Sequence, residues 1–138
     1  MPSDTDTILK PDPRITRLAP YGYVLKYFSE KAKEIPRASF VAALQLEGIP
    51  CDGLFYEPVY KSSLFPPDLR KMYSCPESER AAYQEAVWFP HQNFLGSSED
   101  TDTIADAIEK VLANIEELRG LDHKAIQNQR LGRADRES

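Results

Sequence analysis

The sequence predicts an α+β domain in which a small sheet is covered by helices on one face. Segments rich in β-branched and aromatic residues, typical of strands, alternate along the chain with segments that have helical periodicity. Their order is strand, helix, strand, helix, strand, helix, which is typical of helices packed on a sheet. The spacing of the strands alone leaves open whether they pair in parallel or antiparallel.

The first half of the domain contains one clear strand and one clear helix. The segment YGYVLKYF predicts a strand over Tyr21–Phe28. A helix is predicted over Pro36–Glu47, with Pro36 at the first helical position, where its missing N–H costs nothing. Gly48 follows at a position that favours the left-handed conformation. The segment GLFYE predicts a second strand over residues 53–57.

The second half begins with a predicted loop, residues 61–75, because the pair Pro66-Pro67 disfavours regular structure there. A short helix is predicted to start at Pro76, and AVWFPH predicts a third strand in which Trp88 and Phe89 point to opposite faces. The last helix is predicted from an N-cap at Ser97-Ser98 to Gly120, because its apolar residues recur on one face.

Composition and charge restrict the class of protein. The chain has 138 residues, of which 41% are hydrophobic and 28% charged, as expected for one globular domain. The net charge is −5 and the basic residues are scattered, so nucleic-acid binding is disfavoured. No apolar run approaches the roughly 20 residues of a membrane span. The N-terminal residues lack the pattern of a secretory signal, so we expect a cytoplasmic protein without membrane contact.

Three regions are predicted along the chain: a flexible leader over residues 1–19, the domain over residues 20–120, and a polar, disordered tail over residues 121–138. The two cysteines, Cys51 and Cys75, have no metal-ligand spacing and no neighbouring His, so no metal site is predicted.

Several long segments resemble a known family in their order and spacing. They are PRASFVAALQLEGIPCDGLFYEPVY, CPESERAAYQEAVWFPHQNFLG and the final amphipathic helix. The chain resembles the small C-terminal domain of the DegT/DnrJ/EryC1/StrS family, fold-type I pyridoxal-phosphate (PLP) enzymes that aminate sugars and cyclitols. Members that act on inososes, with a similar PHQ-type ending, look nearest. The resemblance implies a two-layer sandwich with a mostly antiparallel sheet, and it extends from about Asp12 to Leu118.

The resemblance also implies which part of the enzyme is present. In this family the PLP lysine, its acidic partner, the phosphate cradle and the stacking aromatic belong to the large domain. The sequence begins at Met1, shortly before the resemblance starts, so we expect the large domain to be absent from this chain. None of its eight lysines precedes a GEGG-like segment, and there is no GxGxxG or P-loop motif. We therefore expect no catalytic residue, no cofactor bound by this chain alone, and PLP only after completion by a large domain.

Two segments, YEPVYKSSLF and WFPHQNFLG, match stretches that face the active site in the family. Their polar side chains Tyr60, Lys61 and His91 are candidates for the substrate mouth, because they can bind hydroxyl or phosphate groups. Each also has a structural alternative. The Tyr60 ring could pack on the helix layer, Lys61 could be a solvated loop residue, and His91 could donate a hydrogen bond to a backbone carbonyl. Arg37, in the first turn of a helix, is expected at the surface.

Three hypotheses about function follow from the resemblance. The chain is a split or truncated aminotransferase domain completed in trans, a non-catalytic binding or assembly module, or a fragment without function of its own. The first predicts an exposed apolar patch that faces a large domain or a second copy. A nucleotide-sugar or cyclitol substrate is expected only in a complete enzyme. The candidate partner-facing residues are Phe55, Leu64, Phe65 and Phe94.

Overall fold

The computed structural model describes residues 12–17, 19–53 and 57–121. The helices and strands in these ranges are, in chain order, β1 (Gly22–Lys26), α1 (Arg37–Leu46), α2 (Pro67–Arg70), α3 (Pro76–Arg80), β2 (Ala86–Pro90) and α4 (Ser98–Ala113). Short 3-10 turns lie at Ser29–Lys31, Val59–Lys61, His91–Phe94 and Ile115–Leu118, and one π-helical turn lies at Ala81–Glu85. The predicted small α+β domain is confirmed.

Strands β1 and β2 form an antiparallel pair, as the family resemblance implied. Tyr23 lies opposite Phe89, and Leu25 lies opposite Val87, so these four side chains share the face that packs on the core. Val87 and Phe89 are fully buried, whereas Trp88 points to the other face and is half-buried. The predicted separation of Trp88 and Phe89 is therefore confirmed. The first strand is shorter than predicted at both ends.

A third backbone segment pairs with the free edge of β2. Asp52 donates to and accepts from the backbone of Trp88, at 2.9 and 2.7 Å, in an isolated antiparallel bridge. The strand predicted over residues 53–57 begins next to this bridge, but residues 54–56 lie outside the described ranges.

Helix α1 begins one residue later than predicted. Pro36 has extended backbone angles (φ −62°, ψ 144°) and is the N-cap, so the prediction that it is the first helical residue is wrong. The extended ψ angle lets the chain enter the helix from the preceding loop while the carbonyl of Pro36 accepts from Ser39 N–H at 3.0 Å. At the other end Gly48 has φ +88°, so the left-handed position is confirmed.

The segment around Pro66-Pro67 contains a helical turn, so the prediction that it lacks regular structure is wrong. Pro66 is the extended N-cap and Pro67 the first residue of α2. A proline at that position loses no intrahelical hydrogen bond, and its fixed φ suits a helix. Helix α3 begins at Pro76 for the same reason, as predicted. It continues as a π-helical turn before β2 begins.

The core lies between the sheet and the helix pair α1 and α4. Helix α4 starts with a capping box, in which Ser97 Oγ accepts from Asp100 N–H and Asp100 Oδ2 accepts from Ser97 N–H. It ends earlier than predicted, at Ala113, and a 3-10 turn then carries the buried Ile115 into the core. The buried core residues are Tyr27, Ala32, Ile35, Phe40, Val41, Ala43, Leu44, Ile49, Cys51, Val87, Phe89, Val111 and Ile115.

The ends of the chain are described only in part. Of the predicted leader, residues 12–17 contain a turn in which the Arg14 guanidinium is paired with Asp12. The predicted tail lies outside the described residues from position 122 onward.

Candidate functional site

Tyr60 lies in the 3-10 turn Val59–Lys61, and its side chain is buried. Its hydroxyl donates a hydrogen bond to Glu79 of α3 and accepts one from the backbone N–H of Cys75 at 3.2 Å. A tyrosine hydroxyl can donate one hydrogen bond, and here the Glu79 carboxylate accepts it. We call Tyr60, Lys61, Cys75 and Glu79 the Tyr60 cluster. It connects the two ends of the segment that runs from the 3-10 turn to α3.

Lys61 belongs to the same cluster. Its ammonium group lies 3.5 Å from Glu79 Oε1 and 5.4 Å from the centre of the Tyr60 ring. The pKa of Glu79 is lowered, mainly by the hydrogen bond from Tyr60. Burial opposes this effect, and the Lys61 charge adds to it. The bond to Glu79 correspondingly raises the pKa of Tyr60. The cluster is thus a neutral phenol and a lysine ammonium held on one glutamate carboxylate.

His91 is placed in a different group of contacts, in the 3-10 turn that follows β2. Its ring stacks on Tyr21, with centroids 5.9 Å apart and planes 28° apart. Tyr21 also contacts the ring of Trp88, at 6.2 Å. Trp88 in turn covers Gly22, where an added Cβ would overlap the indole. We call Tyr21, Trp88 and His91 the outer aromatic group.

The candidate residues for the substrate mouth are therefore distributed over two places. Tyr60 and Lys61 meet at Glu79, and His91 belongs to the outer aromatic group. The ring nitrogens of His91 have no hydrogen-bond partner among the residues that the structure describes, so the structural alternative of a backbone-bound histidine is not realised in those residues.

The partner-facing candidates differ in exposure. Leu64 is 93% exposed. Phe65 is half-buried and contacts Tyr73 edge-on, with centroids 5.9 Å apart. Phe94 is also half-buried, but it packs edge-on against Tyr23 and on the core. Phe55 lies outside the described residues.

Arg37 was expected at the surface, and that prediction is wrong. The side chain is half-buried, and its Nη1 donates to the carbonyls of Ala82 and Ala86, at 2.8 and 3.0 Å. Burial lowers the pKa of this arginine, opposed by the nearby charge of Asp52. The guanidinium thus holds the π-helical turn against the start of α1. The two carbonyls are 45 and 49 residues away in sequence, so no local signal indicates this role.

Glu79 and Arg70 are the other residues that the sequence did not single out. Arg70 Nη2 donates to the carbonyls of Ser62 and Phe65, each at 3.0 Å. Its Nε is a buried donor without a partner within the described ranges. For Glu79 the sequence gives a weak signal. Acids are favoured in the first turn of a helix, here the helix that starts at Pro76, because the N-terminal end of the helix dipole is positive.

Four lysines in the described ranges have ammonium groups paired with glutamates: Lys26 with Glu85, Lys33 with Glu116, Lys61 with Glu79, and Lys110 with Glu47.

An open pocket of about 250 Å³ lies beside β1 and the π-helical turn. Three of its charged groups are already paired with one another, because Glu85 pairs with Lys26 at 3.3 Å and with Arg80 at 2.9 Å. Among the residues described, no three His, Cys, Asp or Glu side chains come together as a metal site. In the same residues, no helix is long and apolar enough to cross a membrane.

The fold and these contacts define a small α+β domain with two polar or aromatic candidate surfaces. The sequence comparisons then identify its relatives. The chain is 35% identical to a protein of Streptoalloteichus tenebrarius named as an L-glutamine:3-amino-2,3-dideoxy-scyllo-inosose aminotransferase, over 78% of this chain. Proteins of the same name from Streptomyces kanamyceticus and Micromonospora echinospora are 32% and 30% identical. No protein-family model matches the chain.

The chain spans only 29–30% of the length of these three curated relatives. An extent of this size fits a C-terminal segment of such an enzyme. The chain is thus a relative of these aminotransferases, and the resemblance predicted from the sequence is confirmed.

Proposed function

We propose that this chain serves as the small domain of an aminotransferase that transfers an amino group to a keto-sugar or cyclitol ketone, and that a large domain in another chain supplies PLP. The observation that carries this proposal is the extent of similarity. The match includes 78–80% of this chain and only 29–30% of each relative. PLP, when bound, supplies the electron sink for amino transfer.

The part of this chain in that enzyme is to bind and orient the substrate. His91 is suited to this role because stacking on Tyr21 fixes its ring. An imidazole can donate to or accept from the hydroxyls of a cyclitol. The names of the relatives suggest L-glutamine and 3-amino-2,3-dideoxy-scyllo-inosose as the first substrates to test.

Lys61 is the second substrate candidate, and Tyr60 supports it. The Lys61 ammonium group is partly exposed, and Glu79 and the Tyr60 ring hold it in place. A fixed ammonium group suits hydroxyl or phosphate oxygens of a substrate. Because the Tyr60 hydroxyl already donates its one hydrogen bond to Glu79, we assign it the role of positioning Lys61 rather than of contacting the substrate.

The proposal is tested by isolating the tagged full-length chain from its native host. Co-purified proteins are identified by mass spectrometry, and the absorbance spectrum is recorded for bound PLP. We expect an aminotransferase large domain together with the PLP absorbance. A chain that purifies without any PLP-binding protein would contradict the proposal and favour a non-catalytic module.

In the recovered complex, His91→Ala should lower kcat/KM by about tenfold, the cost of roughly one hydrogen bond to the substrate. Gln92→Ala is the matched control, because Gln92 is an exposed neighbour in the same 3-10 turn. Equal activity of the two variants would remove His91 from the proposed site.

A further inference from the structure

Exposed apolar side chains are concentrated in one short segment, residues Val59–Tyr73, which we call the 59–73 loop. Five of the eleven large apolar residues that are exposed in the described ranges lie within these 15 positions. They are Val59, Leu64, Leu69, Met72 and Tyr73. Single exposed apolar residues are common on protein surfaces, but a concentration of them marks an interaction site.

The 59–73 loop is folded on itself, so the backbone that carries its exposed side chains is held in place. Arg70 binds the carbonyls of Ser62 and Phe65, and the rings of Phe65 and Tyr73 are in contact. The Tyr60 cluster joins the start of the loop to Cys75 and Glu79, just beyond its end. A surface that is ordered before binding loses less conformational entropy when a partner docks.

Arg70 provides a second, independent observation. Its Nε is a buried donor that has no partner in the described part of the chain. A buried donor without an acceptor is destabilising, so such groups are rare in native structures. An acceptor brought by a partner, with a small adjustment of the loop, would satisfy this donor. A carboxylate is the acceptor that best matches a guanidinium.

The charge of the 59–73 loop indicates what kind of surface it binds. The loop contains three basic residues, Lys61, Arg70 and Lys71, and one acid, Asp68. Because Lys61 is paired with Glu79, the remaining two basic residues and one acid leave a net charge of 2 − 1 = +1. The whole chain has a net charge of −5. Two copies of the chain that paired loop to loop would bring like charges together, which disfavours a dimer through this surface.

We infer that the 59–73 loop is the docking surface for the PLP-bearing large domain, through an apolar surface of that domain that also carries carboxylates. The inference rests on the proposed function and assigns the surface through which the two domains meet. Two observations indicate that the large domain binds this loop: the charge of the loop, and the length of the relatives, of which this chain spans only 29–30%. The remaining part of such an enzyme could cover the exposed residues.

The experiment measures the Kd between the full-length chain and the PLP-binding partner isolated from its host. The test variant is Leu64→Asp/Met72→Asp, in which both positions are highly exposed, at 93% and 73%. The matched control is Leu46→Asp/Leu112→Asp, which places the same charges at exposed positions of α1 and α4. Circular dichroism checks that each variant is folded. If the double variant is unfolded, Leu64→Asp alone replaces it as the test variant.

We expect the loop variant to weaken binding by about a hundredfold, as for hot-spot residues, and the control to change it by less than about threefold. Equal Kd values for both variants would overturn the inference while leaving the proposed function intact. Failure to isolate any PLP-binding partner would overturn both. Self-association of the wild-type chain that Leu64→Asp/Met72→Asp abolishes, measured by sedimentation, would replace the large domain with a second copy as the occupant.

Discussion

The core and the 59–73 loop are held together by different kinds of contact. In the core, apolar side chains from β2, α1 and α4 pack against one another, and Leu44, Val87 and Phe89 are at most 1% exposed. In the loop, the polar contacts of Arg70 and the Tyr60 cluster set the conformation, while five large apolar side chains are exposed. The comparison distinguishes the segments that stabilise the fold from the loop proposed as a docking surface, so substitutions in the two regions should have different effects.

The largest difference is expected from matched truncations in the two regions. Phe89→Ala removes a fully buried ring and should lower the free energy of unfolding by about 3–5 kcal/mol. Leu64→Ala removes a side chain that is exposed to solvent, and should change it by less than about 0.5 kcal/mol. Urea unfolding followed by circular dichroism measures both. Similar losses for the two variants would mean that the loop is part of the core.

This comparison also explains what the sequence could predict. The core elements follow from local patterns: alternation in AVWFP placed Trp88 and Phe89 on opposite faces, and the apolar spacing in the last helix placed it on the core. The fold class and the capped start of α4 were therefore predicted from the residues, while the antiparallel pairing came from the family resemblance. Local rules failed at Pro67. A proline disrupts the interior of a helix but is compatible with its first position, and Pro67 is the first residue of α2.

The contacts of the candidate site were much less predictable. The hydrogen bonds of Arg37 to Ala82 and Ala86 join residues far apart in sequence, and nothing near Arg37 indicates them. The pairing of Tyr60 with Glu79 likewise depends on how the loop returns to α3. The roles of Tyr60, Lys61 and His91 toward a substrate stay predictions.

A second prediction compares the two arginines, one that braces the edge of the core and one that braces the loop. Arg37→Ala should lower the free energy of unfolding by about 2 kcal/mol, because two carbonyls lose a charged donor. Arg37→Lys should recover only part of the loss, since a lysine cannot reproduce the planar guanidinium. Arg70→Ala should have a smaller effect on global unfolding and speed hydrogen exchange within the loop. The reverse ranking would contradict this assignment.

A third prediction concerns the start of α4, which supports the core from its edge. Ser97→Ala removes the side-chain acceptor for Asp100 N–H and should cost about 1 kcal/mol. Thermal unfolding measures the change. Ser98→Ala is the control, because Ser98 is the first helical residue and has no capping role. Equal effects of the two substitutions would mean that the capping box does not stabilise the helix.

The smallest effect on global stability, and the most local one, is expected at the Tyr60 cluster. Tyr60→Phe keeps the buried ring but removes the bonds to Glu79 and Cys75. The free energy of global unfolding should change little, because the core does not depend on these bonds. Amide hydrogen exchange and proteolysis between residues 61 and 74 should become faster, because the two ends of the loop are no longer joined.

The pH dependence of the loop tests the same cluster with a defined sign. The bond from Tyr60 is the main cause that lowers the pKa of Glu79 below its ordinary value of 4.5. A carboxyl whose pKa is lower in the folded state stabilises the folded loop at pH values above its ordinary pKa, and this stabilisation is lost as the pH falls through the lowered pKa. A test at alkaline pH is less specific to the cluster, since burial also raises the pKa of Tyr27 in the core to about 12. The protection of the wild-type loop from exchange, corrected for the intrinsic pH dependence of the amides, should therefore fall on acidification below about pH 4.5, whereas Tyr60→Phe is already weakly protected at pH 7. Glu79→Gln, which keeps an acceptor but cannot titrate, should give intermediate exchange without this pH dependence; a wild-type loop that responds to acid no more than Glu79→Gln would exclude the Tyr60–Glu79 bond as the contact that closes it.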